Sequence, residues 1–153
     1  MTLAEVLAQL LDLVGTTASS AADIQDRFSA LSTALQLAGP NFEHPPWATA
    51  VNGKSDVYLS LGGDVAGIHI WEDFRGWGAY ASVVVTRGTL ADVESVVGPT
   101  QPMPRAPDDF HSGEKVAAYV ERQGKTVRVF TELRRDRAGV QNVTVSFPSR
   151  GTA

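Results

Sequence analysis

Apolar residues recur along this chain in two rhythms, and the rhythm changes several times. Leu3, Leu7, Leu10 and Val14 return at steps of three and four residues, which places them on one face of a helix. Thr2 and Glu5 stand at the spacing of a capping box, and Gly15 is a natural stop. Ser20 and Asp23 open a second segment of the same kind, with Ile24, Phe28, Leu31 and Leu35 as its stripe and Gly39-Pro40 as its end. Residues 2–39 are therefore expected to form a helical hairpin, or one broken arm that clasps a second subunit. Beyond them the period falls to two. Val57, Leu59 and Leu61 alternate with polar neighbours, and Ala66, Ile68 and Ile70 alternate with Gly67, His69 and Trp71. Tyr80 to Thr86 is a third, more continuously apolar strand. Tight turns join the three into an antiparallel meander over residues 56–87.

The cycle then repeats. Thr89 and Asp92 have capping-box spacing, Leu90, Val93 and Val97 share a helical face, and Gly98-Pro99 ends a helix over residues 89–97. A proline-braced loop follows, and residues 114–147 read as a second meander. In it Val116, Ala118 and Val120 lead through Gln123-Gly124 to Val127, Val129, Thr131 and Leu133, and then to Val143, Val145 and Phe147. The expected fold is a single α+β domain of order α-α-β-β-β-α-β-β-β, one antiparallel sheet of about six strands with helices packed on one face. Helix plus three strands occurs twice, with negligible residue identity between the halves. Residues 41–56 read as a loop, apart from a short strand at Trp47–Val51.

Composition narrows the chemistry. The chain has 153 residues and no cysteine, which excludes a disulfide scaffold, a thiolate metal site and a cysteine nucleophile. Its net charge is −4, unevenly spread: four Lys/Arg against eleven Asp/Glu before residue 101, nine against six after it. That balance disfavours nucleic acid, which needs phosphate neutralisation. Ten arginines to three lysines suggest a high-GC bacterial source. The N-terminal leucines are interrupted by Glu5 and Asp12 and have no basic leader before them, so cytoplasm is the expected location. No run of about 18 apolar residues exists to insert in a membrane.

Gly88-Thr89, Val93, Val96-Val97-Gly98 and Pro99, followed by a meander, resemble the signature of the small outer-membrane-assembly lipoprotein family and the β-lactamase-inhibitor-protein fold. The resemblance spans residues 88–147 and implies a fold that binds proteins through its sheet or loops without catalysis. Here Gly and Thr are adjacent, Pro99 comes one position early, and the lipid-bearing cysteine is absent. The element order is also similar, in topology alone, to the type III secretion chaperones.

Several residue groups carry candidate chemistry. Asp108-Asp109-Phe110-His111 joins two carboxylates and an imidazole, a set suited to a divalent cation or acid–base work. The simpler reading is an aspartate capping a turn and Phe110 anchoring the loop. His44, His69 and His111 show no metal-pair spacing, and no nucleophile elbow or phosphate loop is present. Neither a catalytic set, a metal nor a cofactor is expected. Trp47, Trp71, Phe74 and Trp77 concentrate near two loops, as core fillers or, if Trp47 and Trp77 are exposed beside Glu72 and Asp73, as an acidic aromatic patch suited to a basic partner. Arg134, Arg135 and Arg137 form a basic hairpin tip, either a contact for an acidic partner or a guard against edge pairing. Tyr58, His69, Trp71 and His111 would line a pocket if the sheet were cupped.

The leading expectation is a non-catalytic protein-binding module, such as a bacterial immunity or inhibitor protein. Its contact residues would be Trp47, Glu72, Asp73, Phe74, Trp77, Asp108, Asp109 and the three arginines. A chaperone for a secreted effector, working as a homodimer, and a small-ligand domain or enzyme built on the sheet cavity are the alternatives.

Overall fold

Two helices and a continuous antiparallel sheet make up the described part of the computed structural model, which covers residues 2–14, 42–43, 57–60, 62–72, 78–104, 114–122, 124–135 and 139–148. Helix α1 spans Leu3–Val14 and α2 spans Leu90–Val97. The strands are β1 (Phe42–Glu43), β2 (Val57–Ser60), β3 (Val65–Glu72), β4 (Gly78–Val85), β5 (Gln101–Pro102), β6 (Lys115–Arg122), β7 (Lys125–Leu133) and β8 (Val140–Pro148). The α+β class and the element order follow the sequence pattern. The helix expected over residues 20–39 and the strand at Trp47–Val51 lie outside the described residues.

Both helices start as their caps dictate. The Thr2 hydroxyl accepts a hydrogen bond from the Glu5 N–H at 3.1 Å. In α2 the box is reciprocal: the Thr89 hydroxyl accepts from the Asp92 N–H at 3.3 Å, and the Asp92 carboxylate accepts from the Thr89 N–H at 2.8 Å. Each link satisfies a donor that the first helical turn leaves open. Gly98 then ends α2 at φ 84°, a conformation costly for any residue with a Cβ. The two helices open on nearly the same residues, Thr2-Leu3-Ala4-Glu5-Val6 and Thr89-Leu90-Ala91-Asp92-Val93. Residue identity between the halves is therefore not negligible where each helix begins.

The sheet order is β1-β2-β3-β4-β8-β7-β6-β5. The last strand of the first meander thus pairs with the last strand of the second, and the strand order reads the same from either edge. One row of facing residues crosses all eight strands: Glu43, Tyr58, His69, Ser82, Thr144, Phe130, Ala117 and Gln101. A quasi-two-fold axis through the middle of that row exchanges the halves. It passes between Ser82 and Thr144, whose hydroxyls are bonded at 3.1 Å. The strands obey this relation. The helices do not, since α1 packs on α2, β6 and β8, while α2 lies over β6 and β7.

Alternation sends one set of side chains to the helices. Ile68, Ile70, Ala81, Val83, Val129, Val143, Val145 and Phe147 are buried there with Leu3, Leu7, Leu10 and Leu11 of α1 and Val93 of α2. Two details depart from the sequence reading. The register of β3 shifts between Val65 and Gly67, so Val65 takes the core position and Ala66 drops out of the Ile68–Ile70 face. The stretches read as loops before β2 and after α2 contribute the two-residue strands β1 and β5 at the sheet edges. Pro102 can pair there because an edge strand tolerates a missing donor.

Candidate functional site

The second set of side chains points away from both helices. On this second face His69 stacks on Trp71 with ring centroids 4.7 Å apart, and Trp71 stacks on Tyr80 at 5.4 Å. Register places Tyr58 of β2 opposite His69. Neighbouring strands bring aromatic rings to this spacing when facing residues share a face, and such pairs add to the burial term. Burial holds the His69 imidazole below its ordinary value of 6.5, so it is neutral at pH 7. On the other side of the axis Arg128 places its guanidinium 5.5 Å from the centre of the Phe130 ring. Tyr119 faces Arg128 from β6 and is 64 % exposed.

Across the Ser82–Thr144–Phe130 row from Tyr80 and Arg128, toward Asn142, Glu132 and Lys115, the face holds a cavity of about 360 Å³. Ser82, Thr144, Asn142 and Glu132 give it a polar lining, with Lys115, Phe130 and Met103 completing it. The polar groups are organised by their own hydrogen bonds. Asn142 donates through Nδ2 to Glu132 Oε2 at 2.9 Å, and Thr144 donates to Ser82. Lys115 faces Glu132 across the β6–β7 pair. Small polar side chains at the sheet centre leave the depression, and the aromatic and charged residues around it set its chemistry.

The expected site residues are dispersed by this geometry. His69 and Trp71 stack on each other, and Tyr58 is in register with His69, but the cavity described above is lined by none of the three. Glu72 ends β3 opposite Ala79. Arg134 and Arg135 follow β7, at the strand ends opposite to those carrying Trp71 and Tyr80. Five residues separate Tyr80 from Val85 along β4, about 16 Å at the rise of a strand. The Arg134 guanidinium donates to the Val85 carbonyl at 2.9 Å, and its stem packs over Gly139. It fastens the β7–β8 hairpin to the end of β4. That hairpin lies inside the sheet, with β1 and β5 at the edges, so an edge-guarding role for these arginines is ruled out. Trp47, Asp73, Phe74, Trp77, Asp108, Asp109, His111 and Arg137 lie outside the described residues. Sequence reasoning missed Ser82, Lys115, Phe130, Glu132, Asn142 and Thr144 as a group. Their signal was present, since each occupies the outward phase of a strand, but four strands from both meanders must be aligned before they meet.

No group of three histidine, aspartate or glutamate side chains that would hold a metal ion occurs among the described residues. Among them, too, no helix is long and apolar enough to cross a membrane. No family model, curated protein or solved structure matches this chain.

Proposed function

We propose that the chain is a non-catalytic protein-binding module that recognises its partner through the face of the sheet turned away from α1 and α2, where Tyr119 is exposed. The observation that carries this reading is the band of aromatic and arginine side chains across that face: His69, Trp71 and Tyr80 on one side of the axis, Phe130, Arg128 and the exposed Tyr119 on the other. Tyrosine, tryptophan and arginine supply most of the energy at protein interfaces, because they bury large areas and still offer polar atoms. Strands hold these side chains in place, so little ordering cost accompanies docking. The net charge of −4 favours a partner of basic character through faster, steered encounter. An inhibitor or immunity role in a bacterial cytoplasm, in keeping with the resemblance of residues 88–147, belongs to the same reading.

The test is affinity capture from the source cell with the wild-type chain and with a Tyr119→Ala/Arg128→Glu double variant of unchanged circular dichroism. The wild type is expected to retain one partner stoichiometrically and the double variant to lose it at least tenfold. Equal retention by both, or no stoichiometric partner, overturns the proposal.

A further inference from the structure

The quasi-two-fold relation between the meanders gives the cavity an internal reference. The axis between Ser82 and Thr144 carries His69 to Phe130, Trp71 to Glu132 and Tyr80 to Asn142. In the first half these positions hold three stacked rings. In the second half one ring, Phe130, is retained. The other two positions hold the hydrogen-bonded pair Glu132 and Asn142, and the space beside them is the cavity. The same backbone scaffold is thus filled by an indole and a phenol on one side and left open on the other.

We infer that this cavity receives a planar aromatic side chain, a tryptophan or tyrosine, presented by the protein partner. Its surroundings suit such a ring. Phe130 is an aromatic wall of the cavity, and its counterpart His69 makes a stacked pair with Trp71. Lys115 supplies a cation for the ring's negative face. The Glu132 and Asn142 side chains and the Ser82 and Thr144 hydroxyls provide partners for an indole N–H or a phenol O–H, which a buried ring of either kind needs. About 360 Å³ accommodates one such side chain, with Phe130 and Met103 as the apolar part of a mostly polar lining. This inference rests on the protein-binding reading for the source of the ring, while the geometry concerns the cavity alone.

The experiment titrates the isotopically labelled full chain with N-acetyl-tryptophanamide, N-acetyl-tyrosinamide and N-acetyl-leucinamide, followed by amide NMR shifts. Saturable shifts at Ser82, Phe130, Glu132, Asn142 and Thr144 are expected for the aromatic amides, with dissociation constants of about 1 mM or below. The leucine amide should bind at least tenfold more weakly. A Glu132→Trp/Asn142→Tyr double variant copies the first half onto the second, and it should fold and lose the aromatic shifts. Failure of that variant to fold would overturn the equivalence of the two halves, and the wild-type comparison of aromatic with leucine amide decides the ligand class independently. Equal binding of the three amides, or none, overturns the inference. Tenfold tighter binding of free tryptophan or tyrosine than of the capped amides marks a metabolite site and overturns it as well. A partner that needs Tyr119 and Arg128, together with silent amides, leaves the proposed function standing without this anchor. Saturable aromatic binding with no captured partner does the reverse.

Discussion

Thr131 sits on the inward phase of β7, between Val129 and Leu133, and only 1 % of its surface reaches solvent. Its facing neighbours are Val116 on β6 and Val143 on β8. The hydroxyl has no hydrogen-bond partner among the described residues. A dry, unsatisfied hydroxyl costs roughly 1–3 kcal/mol in protein interiors. Thr131→Val replaces that oxygen with a methyl of nearly the same shape and leaves the β-branched backbone preference intact. The gain should be about 1–2 kcal/mol. For a chain of this size that raises Tm by roughly 2–8 °C, because each kcal/mol moves the midpoint by about 2–4 °C. Urea unfolding checks it: the midpoint should rise while the slope stays fixed, which separates a native-state gain from a change in the unfolded chain. Thr131→Ser serves as the control. It keeps the oxygen and removes a buried methyl, and it should lose about 1 kcal/mol. If Thr131→Val is neutral or destabilising, the hydroxyl has a partner and the packing described around β7 is wrong.

Three further outcomes follow from the same contacts. Gly88→Ala should destabilise by about 1–2 kcal/mol in chemical denaturation, because the new Cβ would lie 2.7 Å from Leu3 Cδ2 and 3.3 Å from Val85 Cγ1 in the buried joint between β4 and α1. Thr89→Ala removes the acceptor for the Asp92 N–H and should cost about 1 kcal/mol in the same assay, whereas Thr89→Ser should cost much less. Burial lowers the His69 pKa, so the unfolded chain takes up a proton that the folded chain resists. Stability should therefore decline as pH falls below 6.5 and level off once pH drops below the folded value. His69→Gln should flatten that part of the profile, as read by melting temperature against pH.

Much of the architecture is written locally. The capping spacing of Thr89 and Asp92 placed the start of α2 within a residue, and the alternation from Val127 to Leu133 identified the buried phase of β7. What escaped the sequence was non-local. Nothing near β4 or β8 announces that they pair, because the pairing depends on the mutual fit of two completed meanders. The edge strands β1 and β5 are two residues long, too short for any alternation to appear. The site shows the same division. Trp71 and His69 were picked out by residue type, and alternation assigned them to one face. The cavity beside Phe130 is lined by ordinary serine, threonine, asparagine and glutamate, whose significance lies in their alignment across strands. The repeat was visible as a rhythm of elements, but its axis emerged only from the register that sets His69 opposite Ser82 and Thr144 opposite Phe130.

The junction of β4 with β8 has a consequence for biosynthesis. Ser82 and Thr144 meet across 62 positions of chain, and β8 is the last of the described strands. While the polypeptide leaves the ribosome, the first meander emerges with β4 as an unsealed margin, and it stays so until β8 has been translated. High contact order of this kind slows folding and exposes the nascent chain to misassociation. A stop codon ahead of Val140 would therefore strand β4 without its native neighbour, and such truncated products should appear in the insoluble fraction rather than accumulate as folded half-molecules.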